Sequence, residues 1–180
     1  MYSGNLNISN NILSILQLLI SNNEIKSAIK LFADKLNTDY ENKEVIIIAI
    51  LKGAILFLQD LYEHLDFKYN IDYVDISSYK GQKRGKIKSL PFDINIQNQN
   101  ILIIDDICDS GNTLSYITDL LNKNNPKSIR TSVLLKKKIN NSIFIPDDYL
   151  FLIPNEFVVG YGLDFNNKYR FLKDIYTISS

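Results

Sequence analysis

The chain has 180 residues, with 20 Lys and Arg balanced by 20 Asp and Glu. That length suits a single domain over residues 1–180 with enough chain for a sizeable core, and the cancelled charge leaves no global attraction to nucleic acid or an anionic membrane. One cysteine, Cys108, excludes an internal disulfide and suits a reducing compartment.

In chain order, the first apolar stretch covers residues 12–20, is interrupted by Ser14 and Gln17, and has no basic residue before it, since the first is Lys26. It is too short to span a bilayer and lacks the basic start of a secretory signal, so a cytoplasmic location with no membrane partner is expected. Ser21 and Glu24 have capping-box spacing. The helix they open carries Ile25, Ile29, Phe32, Ala33 and Leu36 on one face. Residues 45–50 are an apolar run, too short for a helix and rich in β-branched side chains, as in a central strand. Leu51-Lys52-Gly53-Ala54 turns the chain into a second helix, predicted to bury Ile55, Leu58, Leu61, Tyr62 and Leu65, with His64 in a surface or satisfied structural role late in it. Tyr73 to Tyr79 alternates weakly, as a strand would, and the cations Lys80, Lys83, Arg84, Lys86 and Lys88 follow with no acid among them. The Asn/Gln-rich residues 95–100 read as a turn.

Residues 101–114 read Ile-Leu-Ile-Ile-Asp-Asp-Ile-Cys-Asp-Ser-Gly-Asn-Thr-Leu. Ile101 to Ile104 predict a strand buried on both faces, with Asp105 and Asp106 following at its end, where an open parallel sheet places its ligands. Asp109-Ser110-Gly111-Asn112-Thr113 then turns the chain into a helix near Thr113 that buries Leu114, Ile117, Leu120 and Leu121 and ends at Asn124-Asn125-Pro126. A turn of small residues opening a helix presents backbone N–H groups to an anion. Carboxylates able to hold Mg²⁺ or ribose hydroxyls thus lie beside a phosphate cradle, which suits a sugar phosphate. The G-x-x-x-x-G-K-[ST] loop of ATP-binding proteins is absent. Further strands are predicted at 129–135 (running into Lys136, Lys137 and Lys138), at 149–153 and at 175–178. The alternation predicts an α/β fold with a mainly parallel sheet flanked by helices.

The 101–114 stretch resembles the phosphoribosyl-diphosphate (PRPP) loop of the type I phosphoribosyltransferases. Residues 153–164, Ile-Pro-Asn-Glu-Phe-Val-Val-Gly-Tyr-Gly-Leu-Asp, followed by Tyr169-Arg170, resemble the purine-pocket segment of the hypoxanthine-guanine phosphoribosyltransferases. Leu51-Lys52-Gly53 resembles that family's diphosphate-binding turn, and Ser78-Tyr79 opens what resembles its mobile lid, about residues 78–88. There the chain departs from the family, reading Lys80-Gly81-Gln82-Lys83-Arg84-Gly85 where a Ser-Thr-Gly or Ser-Ser-Gly element is usual.

The resemblance implies the type I phosphoribosyltransferase fold, with a small base-recognition hood built from the chain ends, a PRPP loop at 105–113 and a purine pocket at 136–164. It implies transfer of a 5-phosphoribosyl group from PRPP to a 6-oxopurine, with Mg²⁺ as cofactor and a homodimer or homotetramer as the assembly. The 5′-phosphate falls to the 109–113 turn (Asp109, Ser110, Gly111, Asn112, Thr113), and the ribose hydroxyls and metal to Asp105 and Asp106, with Asp164 for a second metal. The diphosphate falls to Lys52, Gly53 and Arg170. By the same resemblance Asp109 is expected as the general base at purine N7, Phe157 as the residue stacked on the ring, and Val158 as the reader of its edge through backbone groups. A lysine after the 129–135 strand donates to purine O6. Leu-Leu-x-Lys spacing selects Lys137, whereas a gap-free count back from Phe157 selects Lys136; Lys137 is preferred. The rival reading is a regulatory protein of this fold that senses PRPP and binds nucleic acid without turnover. Zero net charge and the intact Asp109 weigh against it.

Overall fold

Helix α1 (Asn22–Asp39) begins where its cap chemistry says it must. In the computed structural model, which describes residues 16–75 and 95–178, the Ser21 backbone N–H donates to Glu24 Oε2 at 2.8 Å and the Glu24 backbone N–H donates to Ser21 Oγ at 3.4 Å. Ile25, Ile29, Phe32, Ala33 and Leu36 are its buried residues.

Five strands form a wholly parallel sheet: β2 (Glu44–Leu51), β3 (Lys68–Asp75), β4 (Asn100–Cys108), β5 (Ser128–Lys137) and β6 (Asp148–Ile153), in the order β3-β2-β4-β5-β6. From β2 the chain builds β3 on one side and then returns to the other for β4. The order therefore reverses between β2 and β4, and a crevice opens at their carboxyl ends. Alternate residues of both strands enter two cores. Val45, Ile47, Ala49, Leu102 and Ile104 pack with α1 and with α2 (Ile55–Tyr62). Ile46, Ile48, Ile50, Ile101 and Ile103 pack with α3 (Asn112–Asn122), whose buried residues are Leu114, Ile117, Leu120 and Leu121. Each such Val, Leu or Ile side chain contributes roughly 1.5–3 kcal/mol when fully buried, and burial on both faces is why the strands read as unbroken apolar runs.

A second, antiparallel sheet joins β1 (Leu16–Ile20), β7 (Val158–Val159) and β8 (Ile175–Ile178) in the order β1-β8-β7. This is the hood expected from the chain ends. Its tie to the main domain includes the Asn22 backbone N–H, which donates to Asp174 Oδ1 at 2.7 Å.

Three expectations need correction. Strand β4 does not end at Ile104: it continues through both aspartates to Cys108, because the ten-residue β5 runs beside it and pairs Asp105 with Val133 and Cys108 with Lys136. Helix α2 buries Phe57, Leu58 and Leu61, while Ile55 (46% exposed) and Tyr62 (41%) face solvent, and Leu65 lies beyond its end. Strand β3 starts at Lys68, five residues before the predicted Tyr73. The expected lid, with Ser78 and Tyr79, lies outside the described residues. Among the described residues no helix is long and apolar enough to cross a membrane.

Candidate active site

A cleft of about 350 Å³ opens over the carboxyl ends of β2 and β4. Its lining includes Lys52, Gly53, Asp105, Asp106, the 109–113 turn, Asp164 and Arg170, so the residues assigned to PRPP and metal are brought together. Lys137, Phe157 and Val158 do not line it. The connection to them is an ion pair, Lys137 Nζ to Asp109 Oδ2 at 3.0 Å.

Asp105 is 5% exposed and Asp106 follows it on the pleat. The Asp106 N–H donates to Asp105 Oδ1 at 2.9 Å, and the Ile107 N–H donates to Asp106 Oδ1 at 2.8 Å. Burial raises both carboxyls above the usual aspartate range, and the Asp106 charge raises Asp105 further. For Asp106, backbone hydrogen bonds and the Arg170 guanidinium offset part of the rise. A buried carboxylate beside a half-buried one, both disfavouring ionisation and both open to the cleft, is a fitting site for a hard divalent cation. Asp164 does not join them. Its Oδ1 pairs with Arg170 Nη2 at 2.6 Å and its Oδ2 accepts the Asn167 N–H at 2.7 Å. Among the described residues no three acidic, histidine or cysteine side chains converge on one point.

Past Cys108 the chain turns into α3 with Gly111 at its N-cap, φ 85°, and no side-chain cap bond. The first-turn amides of α3 are therefore not taken by a capping side chain, and the positive end of its dipole faces the cleft. Across β5, neighbouring lysines diverge because successive strand residues point to opposite faces. Lys137, 9% exposed, reaches Asp109, while Lys136 Nζ lies 5.1 Å from the Tyr149 ring centroid. The alternation favours Lys137 for the site. Phe157, 50% exposed, meets Phe165 edge to face, centroids 5.3 Å apart. Val158 is buried in β7 against Thr177 of β8.

The description of the phosphoribosyl transferase domain matches residues 14–166. A hypoxanthine-guanine phosphoribosyltransferase of Bacillus subtilis is 38% identical over 158 residues, covering 86% of this chain and 88% of its own. The chain belongs to the hypoxanthine-guanine phosphoribosyltransferase family. A bifunctional TilS/HprT protein of Listeria monocytogenes is also 38% identical, over 87% of this chain, but this chain spans only 25% of that protein's length. The crystal structure of a hypoxanthine-guanine phosphoribosyltransferase from Bacillus anthracis superposes with a TM-score of 0.81 at 34% identity, covering 91% of this chain and 99% of that one.

Two features of the site have no plain signal in the sequence. Phe165 packs on Phe157, and its one trace was an aromatic residue set between Asp164 and two asparagines, where a polar side chain is the norm. The 142–144 segment packs against the 109–113 turn: the Ile143 N–H donates to the Ser110 carbonyl at 2.9 Å, and a Cβ on Gly111 would stand 2.7 Å from Phe144 Cβ. No periodicity marks such a contact. Gly111→Ala adds that clash to a left-handed φ, so stability should fall by at least ~1–2 kcal/mol. Urea denaturation checks this; an unchanged midpoint would show that the turn can relax.

Proposed function

We propose that this chain transfers the 5-phosphoribosyl group from PRPP to a 6-oxopurine, hypoxanthine and also guanine, releasing diphosphate and yielding the 5′-mononucleotide in purine salvage. The observation that carries the reading is the Lys137–Asp109 pair. A 6-oxopurine presents N7 and O6 as neighbours on one edge. An ammonium and a carboxylate 3.0 Å apart match that edge, the lysine donating to O6 and the aspartate accepting the proton at N7.

The remaining residues divide the work. Phe157, backed by Phe165, offers its face to the purine ring, and Val158 meets the purine's edge through backbone groups. Amides of the 109–113 turn hold the 5′-phosphate, with the Ser110 and Thr113 hydroxyls beside them. Lys52, Gly53 and Arg170 take the diphosphate. Purine N9 attacks ribose C1 and the diphosphate leaves with the bonding electrons, so positive charge builds on the ribose ring in the transition state. The Asp105 and Asp106 carboxylates, which line the cleft, would stabilise that charge. These two would hold Mg²⁺, with Asp164 for a second ion; when bound, the metal neutralises diphosphate oxygens. We further propose a cytoplasmic, homodimeric or homotetrameric protein of one domain, whose one cysteine is free and buried. No observation favours the regulatory, nucleic-acid-binding alternative.

A panel of purine and pyrimidine bases incubated with PRPP and Mg²⁺, following diphosphate release, tests the function. Release with hypoxanthine and guanine supports it, and no release with any base refutes it. Asp105→Asn combined with Asp106→Asn tests the metal and ribose assignment. The amide oxygens can still accept the Asp106 and Ile107 N–H bonds, and the repulsion of two adjacent like charges is relieved, so the melting temperature should hold or rise. Mg²⁺-dependent PRPP binding should be lost. Calorimetry showing unaltered PRPP affinity would return the pair to a purely structural role.

A further inference from the structure

Tyr161 is 3% exposed and has no part in the roles assigned above. Its φ of 49° lies in the left-handed region that a bulky residue rarely occupies, so the surrounding fold must hold it there. Its hydroxyl is 2.6 Å from Asp60 Oδ2 and 3.3 Å from the Leu56 carbonyl oxygen, both on α2, the helix that follows the Lys52–Gly53 turn. Burial and the Asp60 carboxylate push the phenol far above its usual range, so it remains a donor at any working pH. On its other side the Tyr161 N–H donates to the Leu172 carbonyl at 2.7 Å and the Gly162 N–H to the Arg170 carbonyl at 3.0 Å. Arg170 Nη1 returns a bond to the Gly162 carbonyl at 2.8 Å. A Cβ on Gly162 would stand 2.6 Å from the Gly53 carbonyl oxygen, so the two loops touch backbone to backbone.

The turn carrying Lys52 and the loop carrying Asp164 and Arg170 thus meet at one seam, and these loops are far apart in the chain. We infer that Asp60 and Tyr161 form a positioning pair that sets the distance between the Lys52–Gly53 turn and Arg170, and thereby the fit of the diphosphate end of PRPP. Neither residue lines the cleft. The pair acts by holding two anion-binding elements in one register, and a small error in that register weakens every bond to the diphosphate together.

The inference rests on the phosphoribosyl-transfer reading, and its test separates the two. Tyr161→Phe, Asp60→Ala, Asp60→Asn and the Tyr161→Phe/Asp60→Ala double variant are compared for melting temperature, for PRPP Kd by calorimetry with Mg²⁺, and for hypoxanthine KM. Tyr161→Phe and Asp60→Ala should each raise the PRPP Kd about tenfold, since both let the two loops shift. The double variant should do no more, because each single change already removes the 2.6 Å Tyr161–Asp60 bond, and hypoxanthine KM should stay within about twofold. Asp60→Asn should restore PRPP affinity, as its amide oxygen still accepts the phenol proton. A lowered melting temperature with unchanged PRPP Kd, additive effects, or an equal rise in hypoxanthine KM would overturn the pair as a positioning device. Should Tyr161→Phe fail to fold, the contrast between Asp60→Ala and Asp60→Asn decides by the same criteria. A wild-type protein that binds PRPP but releases no diphosphate would sink the transfer reading while leaving the calorimetric test of the pair intact.

Discussion

Asp109→Asn should lower turnover by roughly 10²–10⁴ while leaving the fold and PRPP affinity in place. Asp109 stands just past the end of β4, with its side chain 56% exposed and its Oδ2 3.0 Å from Lys137 Nζ. Asparagine has the same shape, and its amide oxygen still accepts from that ammonium, so Lys137 keeps a partner. What disappears is a basic oxygen able to take the purine proton. A group that acts only in the transition state shows its loss in kcat and in kcat/KM for the purine together. Steady-state kinetics beside PRPP calorimetry separates this from a packing defect. Turnover equal to that of the native protein would remove Asp109 from the mechanism.

Adenine should be rejected by at least ~10²-fold in kcat/KM relative to hypoxanthine, through failed polar pairing rather than size. Lys137 is only 9% exposed, so its ammonium depends on acceptors supplied by the protein and the base. Hypoxanthine and guanine supply O6. Adenine places an amino group there, which sets hydrogens against the ammonium and leaves a buried charge short of a partner. Lys137→Ala removes the discriminating donor, so the ratio should collapse chiefly by loss of hypoxanthine activity. Comparable kcat/KM for adenine and hypoxanthine in the native protein would overturn the purine-edge assignment.

Much of the fold was legible from residues close together in the chain. The Ser21–Glu24 capping box, the buried faces of α1 and α3 and the bounds of β8 appear where spacing placed them. Capping bonds and helical periodicity are complete within a turn or two, so local sequence carries them in full. The order of strand, acids, small-residue turn and helix in residues 101–114 was likewise legible, because an anion cradle at a helix start needs only consecutive residues.

Where partners come from elsewhere in the chain, only the tertiary structure decided. β4 runs on to Cys108 because β5 offers it a ladder, whereas aspartates alone suggest a strand end. Phe57 rather than Ile55 faces the core because the entry angle of α2 sets its buried stripe, and over only eight residues several stripes fit the apolar pattern. A choice between Lys136 and Lys137 is a choice of strand face. A one-residue slip reverses the face, so counting along the chain does not say which of the two reaches Asp109; pairing with β4 and β6 sets the pleat that puts Lys137 there. Asp60 and Tyr161 are 101 residues apart and neither has a local signature. Their meeting is a property of how the hood loop docks on α2, so it could be read only once both were folded.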